Sequence, residues 1–506
     1  MPPCPTIHPF PHTNPPMKKF FLPVILLATL LLASCMKPVE NPTLASEQPP
    51  IFPDYIGVTI PVGMAPLDFN MVDDRIDLMD VVAKGSKGGE LHVQGEFADF
   101  DIDDWHQLTA RNEGGDIRIT VSVLQDGKWT QYQDFPIHIS RHPLTDYGIT
   151  YRRIAPGYEV GGNIGIYQRD LHTFDESPIL QESAVPGQCM NCHTANRASA
   201  HQFLLHLRGD KGGTVIQTDG KQTWLNTKTD STKANFGYSY WHPSGNFLAT
   251  SINSIHQSFF VGKDRRIEVY DTMSDVLVMD VRTNELLLCP LLQTTDWETY
   301  PVFSADGKTL YFCTSKPYNV PREYDKPQYS LCRIAFNPAD GTFGTEVDTL
   351  LSAATLHRSF TFPRPSYDGR WLMYGVTDFG NFPVNHAEAD LWLMDLQTGA
   401  TRPLHEVNSP DVDSFHNWST DSHWFVFSSR RGDGMYTHAY LAGIDDQGHA
   451  TKPFLLPQRN PKKFYRLMLD SYNCPDFTQE KVQFDARKAS RECLDNGRVQ
   501  VKVKMR

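Results

Sequence analysis

Phe303-Ser-Ala-Asp-Gly307-Lys-Thr-Leu-Tyr-Phe312 reads as a tight turn leading into an aromatic strand, and the chain says it again three times. The counterparts are Trp241-His-Pro-Ser-Gly245-Asn-Phe-Leu-Ala-Thr250, Arg364-Pro-Ser-Tyr-Asp-Gly369-Arg-Trp-Leu-Met-Tyr374 and Trp418-Ser-Thr-Asp-Ser422-His-Trp-Phe-Val-Phe427. A second element recurs behind the turn: Ser274-Asp-Val-Leu-Val-Met-Asp280 matches Ala389-Asp-Leu-Trp-Leu-Met-Asp395. Turns that recur about every 50 to 60 residues, each followed by two or more strands, are what a radial array of small antiparallel sheets requires. The fold class is therefore all-β, a β-propeller with four blades visible. Further blades must come from residues 203–234, from the C-terminal tail or from the N-terminal region. The propeller is placed at 211–475 and residues 476–506 are left as a tail.

Upstream, residues 54–150 read as a small β-sandwich-like domain. Asp116-Ile-Arg-Ile-Thr-Val-Ser-Val123 alternates, Asp126-Gly127 follows, and Lys128-Trp-Thr-Gln-Tyr132 resumes the strand pattern. Asp-Gly between alternating runs is a strong hairpin signal.

The N-terminus reads as an address. Met17-Lys18-Lys19 is basic, Phe20 to Leu31 is apolar, and Leu32-Ala33-Ser34-Cys35 ends the run. The run is shorter than the roughly 20 residues of a spanning helix and its flanks fit an export signal. Residues 1–34 are thus expected to be an upstream extension plus lipoprotein signal peptide. Cys35 is expected to take the lipid, and 35–53, with prolines at 38, 42, 49, 50 and 53, to be the tether. The expected location is the outer membrane, periplasmic or surface face. The net charge of −12 argues against nucleic acid, whose phosphates demand a basic surface.

Pro186-Gly-Gln-Cys189-Met-Asn-Cys192-His193-Thr194 contains C-x-x-C-H. On a turn of helix, two thiols so spaced can each add to a vinyl group of one haem, and the following imidazole can reach the iron. In an exported chain this predicts one covalent haem c in a short helical or loop segment within a 151–210 linker. Cys189 and Cys192 would be the attachment sites and His193 the proximal iron ligand. His206 is a candidate distal ligand, with His201 as the alternative. A thioredoxin-like dithiol would want a βαβ setting, and a zinc site a second ligand pair; neither is offered. The remaining cysteines, Cys289, Cys313, Cys332, Cys474 and Cys493, allow pairs such as Cys313 with Cys332 and Cys474 with Cys493, the connectivity staying open. His386, His416, Asp390 and Arg430 stand near blade turns, where they either gather as a binding cluster or satisfy hydrogen bonds between blades. Gly-x-Ser-x-Gly, His-Glu-x-x-His and phosphate-binding glycine loops are absent from the sequence, so the chain offers no recognisable hydrolase or transferase motif, and a haem enzyme with an open distal site is the one enzymatic option.

The Pro-Ser-x-Asp-Gly-Arg turn and its aromatic strand resemble TolB-type propeller repeats over about 235–460, which implies six blades. Residues 51–475 as a whole resemble TolB-like envelope lipoproteins of Gram-negative anaerobes, through Ile60-Pro61, Ala65-Pro-Leu-Asp-Phe69, Tyr151-Arg-Arg-Ile154, Asn191-Cys-His193, His206-Leu-Arg-Gly209, Phe362-Pro-Arg364 and Lys452-Pro-Phe-Leu-Leu-Pro457. That resemblance implies no activity that could be carried over to residues. The expected function is electron transfer or docking of a redox partner at the cell envelope. The alternative is a propeller scaffold that binds a protein or glycan, its haem structural or absent.

Overall fold

The computed structural model describes residues 36–155, 164–230, 232, 235–260, 267–495 and 498–505. The signal segment and Cys35 lie outside them. Residues Pro42–Arg506 form one compact unit. None of the described helices is long and apolar enough to cross a membrane.

Six four-stranded antiparallel sheets make a propeller, numbered here as blades 1 to 6. Blades 2 to 6 are consecutive in sequence. Their inner strands are Cys189–Asn196, Phe236–Trp241, Trp297–Phe303, Ser359–Pro365 and Asp413–Trp418. Blade 1 is composite: its outer three strands are Gly148–Ile154, Gly165–Asp170 and Glu176–Gln181, while its inner strand is Ser471–Thr478 from the far end of the chain. The ring thus closes by hydrogen-bonding the C-terminal part to the start of the propeller. All three stretches that were candidates for the missing blades contribute. Residues 151–210, expected as a linker, carry strands of blades 1 and 2. The expected tail adds parallel edge strands, Val499–Gln500 on blade 2 and Lys502–Met505 on blade 3.

The repeated turn has a physical reason. In blade 4, Ser304 Oγ donates to Asp306 Oδ1 at 2.6 Å, Asp306 Oδ1 accepts the Lys308 N–H at 3.0 Å, and Gly307 takes φ +73°. Blades 5 and 6 repeat the arrangement with Ser366 and Asp368, then Ser419 and Asp421. A short acceptor folds the backbone and a glycine takes the left-handed position at little steric cost.

Ahead of the propeller, a seven-stranded sheet is covered by the helix Ile102–Arg111, whose Asp101 caps its N-terminus. The hairpin expected at Asp126-Gly127 joins Asp116–Gln125 to Lys128–Gln131, with Gln125 opposite Lys128. One hydrophobic core runs from this sheet into blades 6 and 1, joining Val121, Phe135 and Trp105 to Trp424, Leu441 and Tyr472.

Candidate functional site

Cys189–Asn196 is a strand, the innermost of blade 2, and the C-x-x-C-H motif sits on it. Pairing with the second strand runs Met190 opposite Leu207 and then His193 opposite Leu205, so Asn191 and Cys192 together face one residue. This is a β-bulge, and every inner strand of the ring has one at the same level. The bulges fall at Tyr238-Ser-Tyr240, Tyr300-Pro-Val302, Phe362-Pro-Arg364, Phe415-His-Asn417 and Cys474-Pro-Asp476, and the leading residue of each has φ between 45° and 54°. Asn191-Cys-His193 is the sixth member of that series. The residues that spell a haem motif are therefore the blade's own copy of the propeller bulge, on a strand and not on a helix or loop.

The surroundings do not fit a covalently attached porphyrin. Cys189 is exposed, whereas Cys192 faces the central channel and accepts a hydrogen bond from the Tyr238 N–H at 3.4 Å. Beside Cys192 the channel opens to about 30 Å³, bounded by Ser239, Arg364, Cys474 and Asp476. Sites for small molecules begin near ~300 Å³. His193 is packed between blades 1 and 2, 6.1 Å from the Phe203 ring, and burial pushes it down to about 4. Neither of its ring nitrogens has a hydrogen-bond partner among the described residues. His206 does not join it. Register puts His193 on the face of Leu205, which looks toward blade 1, and His206 on the face of Thr214, which looks toward blade 3. His206 Nδ1 meets Thr214 Oγ1 at 2.8 Å, and burial lowers its pKa to about 3. One sheet thus separates the expected proximal and distal ligands. His201 is exposed and pairs with Glu480 at 3.3 Å. No cluster of three metal-ligating side chains occurs among the described residues.

The cysteine pairs that the sequence allows are not brought together either. Cys313 packs toward the channel-side core and Cys332 toward the core between blades 3 and 4; Cys493 lies under blade 2 while Cys474 lines the channel.

What the bulge ring does hold is a polar knot. Asp476 accepts from Asn417 Nδ2 at 2.7 Å, from the Ala195 N–H at 3.1 Å and from Thr194 Oγ1 at 3.3 Å, joining blades 1, 2 and 6; burial raises its pKa to about 6. Arg364 stacks on Phe362 and Tyr240 at 4.3 and 5.1 Å. Over one side of the channel, the long hairpin of blade 3, Phe247–Phe259 with Ile267–Asp280, reaches blade 5. Asp271 accepts from Asn253 and Asn381 at 3.0 and 2.6 Å, and Glu268 meets His386 Nε2 at 3.3 Å. Burial opposes charge on His386, yet Glu268 and Glu388 lift it to about 9. His416, by contrast, is buried with both ring nitrogens unpartnered among the described residues. His386 and His416 therefore serve separate places and form no shared binding face.

Three depressions adjoin the helix Pro461–Leu467, which links blade 6 to the closing strand, near its junction with the N-terminal domain. Two of about 610 and 350 Å³ are lined with charged groups. A third, of about 390 Å³, is aromatic: Phe52, Tyr436, His438, Tyr440 and Tyr465 line it. The cations at its rim are already committed. Lys462 donates to the Met71 and Val72 carbonyls at 2.9 and 2.6 Å, and Arg466 to Asp74 at 2.9 Å. His438 Nε2 is buried without a partner among the described residues, and burial holds its pKa near 4, so the ring is neutral at pH 7. Sequence reasoning missed this site, because its residues come from four distant segments at no recognisable spacing.

No protein-family model and no curated protein matches the chain. Solved structures do match. An oligogalacturonate lyase in complex with manganese aligns over 58% of this chain and 83% of its own, at 14% identity and TM-score 0.31. A puromycin-hydrolysing peptidase of Mycobacterium tuberculosis aligns over 80% and 57%, at 13% identity and TM-score 0.33. A prolyl endopeptidase aligns over 69% and 50%, at 12% identity and TM-score 0.30. At these scores none of their chemistry transfers. The chain's own strand order identifies it as a six-bladed β-propeller with an N-terminal β-domain.

Proposed function

We propose that this chain is an exported, lipid-anchored propeller of the outer membrane that binds a neutral glycan in the aromatic pocket beside the helix Pro461–Leu467. The signal segment and Cys35 support the address, whereas the stretch expected as a tether pairs into strands at Thr43–Leu44 and Ile51–Phe52. The pocket carries the binding reading: four phenyl or phenol rings and a neutral imidazole surround about 390 Å³ at a domain junction. Pockets of this size at such junctions are common ligand sites, and ring faces with polar edges suit a sugar ring. With Lys462 and Arg466 committed to backbone and Asp74, no unpaired cation calls for an anionic ligand there. Electron transfer through haem is not carried forward, since the channel around Cys192 and His193 does not fit the group. Matured in a host that loads a control cytochrome, the protein should give no c-type band in a pyridine haemochrome spectrum.

The test is a printed array of neutral oligosaccharides probed with the purified chain, followed by calorimetry on each hit. Tyr440→Ala and His438→Ala should weaken a hit at least tenfold while melting as cooperatively as the parent. A parent that retains no neutral glycan, or hits indifferent to both substitutions, would overturn the reading.

A further inference from the structure

We propose that Cys192 and Cys474 are the two halves of an oxidation-dependent disulfide that ties blade 1 to blade 2 beside the closure of the ring. The inner strands of these blades run side by side and in step. Asp476 accepts from Thr194 and Ala195, and the Gln479 N–H donates to the Ala198 carbonyl at 2.7 Å. Two residues back from Asp476 is Cys474; two residues back from Thr194 is Cys192. Each belongs to its strand's bulge, where the side chains turn into the channel, and both line the same 30 Å³ cavity. Two thiols on adjacent parallel strands that line one small cavity are the arrangement from which a disulfide can form. Cys189 is the obvious rival partner by spacing, but it is exposed and lies before the bulge, outside the residues that line this cavity. Burial pushes the Cys474 thiol up to about 12, which keeps it protonated until a partner sulfur is activated.

The chemistry needs an oxidant small enough for this cavity, and a peroxide meets that need. The Cys192 sulfur takes one oxygen from hydrogen peroxide, giving a sulfenic acid and one water. The Cys474 sulfur then displaces that hydroxyl, and its own proton leaves with the hydroxyl as a second water. One S–S bond forms, one O–O bond breaks, and two thiols supply the two electrons that reduce the peroxide. The bond would close a loop that runs through blades 2 to 6, so it constrains the unfolded chain strongly.

The purified full chain is treated with hydrogen peroxide, its remaining thiols are capped with N-ethylmaleimide, and unreduced peptides are mapped by mass spectrometry. The expected product is a linked peptide pair holding Cys192 and Cys474, lost on reduction with dithiothreitol. Reduction should also lower the Tm of the oxidised parent by several degrees and leave the Tm of peroxide-treated Cys192→Ser and Cys474→Ser unchanged. Recovery of both thiols in capped form, or a Cys189–Cys192 link in their place, would sink the proposal, and the peptide map decides even if a serine variant fails to fold.

Discussion

Blades 5 and 2 pass from inner to second strand by different means. In blade 5 the turn fastens itself: Ser366 Oγ holds Asp368 at 2.5 Å, Asp368 accepts the Arg370 N–H at 3.0 Å, and Gly369 takes φ +76°. Blade 2 turns through Arg197 and Ala198, at φ +48° and +61°, and neither is a glycine. Left-handed backbone costs about 1–2 kcal/mol at such residues. Tertiary contacts offset it. Arg197 donates to the Ala305 carbonyl at 3.2 Å and lies over the Tyr367 ring at 5.1 Å, while the Ala198 carbonyl takes the Gln479 N–H. One turn is a local device and the other exists because the ring has closed around it.

The hardest blow to that difference is removal of residues 471–506. Blade 1 would lose its inner strand, blade 2 its neighbour, and the Arg197-Ala198 turn its Gln479 tie. Calorimetry should show no cooperative transition for the shortened chain. A truncated protein that melts within a few degrees of the parent would mean that blades 2 to 6 stand without closure. Next in size is Asp476→Ala, which leaves Asn417, Thr194 and Ala195 without their acceptor in a dry setting. Unpaired buried donors cost about 1–3 kcal/mol each, so a loss of about 3 kcal/mol in denaturant unfolding is expected after some relaxation. At the same level of blade 4 stands Val302, where truncation to Ala should cost only about 1–2 kcal/mol, since a few methyls and no polar knot are lost.

The same contrast explains what could be read from the sequence. Blades 3 to 6 were legible because their turn residues are contiguous and carry a local mechanism. Blade 1 was not, because its inner strand lies about 300 residues from its partners, and blade 2 was not, because Arg197-Ala198 contains no turn residue. That Asn191-Cys-His193 lies on a strand was not legible for a related reason. Its spacing satisfies haem attachment on a helix, and only its alignment with Phe415-His-Asn417 and Cys474-Pro-Asp476 shows a bulge. That alignment was available: each triplet is followed by a short stretch and then a strand. The aromatic pocket was beyond reach, since Phe52, His438 and Tyr465 meet only through folding.

A smaller effect probes buried charge on both sides of the ring. Asp68, Glu298 and Asp271 are raised by burial, to about 8, 8 and 7. A carboxyl whose folded pKa exceeds its unfolded one binds more protons folded, so stability falls as pH rises through that interval. The buried histidines His193, His206, His416 and His438, lowered to between about 3 and 4, lose stability only as pH drops below about 6.5. From pH 6.5 to 8 these carboxyls act in the same direction as His386, which its glutamates raise to about 9, and the Tm should decline steadily. Asp68→Asn should flatten that slope, and a Tm that climbs over the same range would contradict the assignment.

The gentlest test acts on the two turns themselves. Gly369→Ala puts a methyl 3.4 Å from Ala305 Cβ, an easy fit, so its cost is backbone strain alone, about 1–2 kcal/mol. Ala198→Gly looks like the reverse experiment but is not. It relieves the left-handed strain, yet it removes a fully buried methyl worth about 0.8 kcal/mol and adds about 0.5–1 kcal/mol of chain entropy to the unfolded state. These terms nearly cancel, and the variant should unfold within about 0.5 kcal/mol of the parent. A gain above 1 kcal/mol would show that ring closure leaves the blade 2 turn strained, and a loss above 1 kcal/mol would show that the Ala198 methyl, more than the Gln479 hydrogen bond, holds it in place.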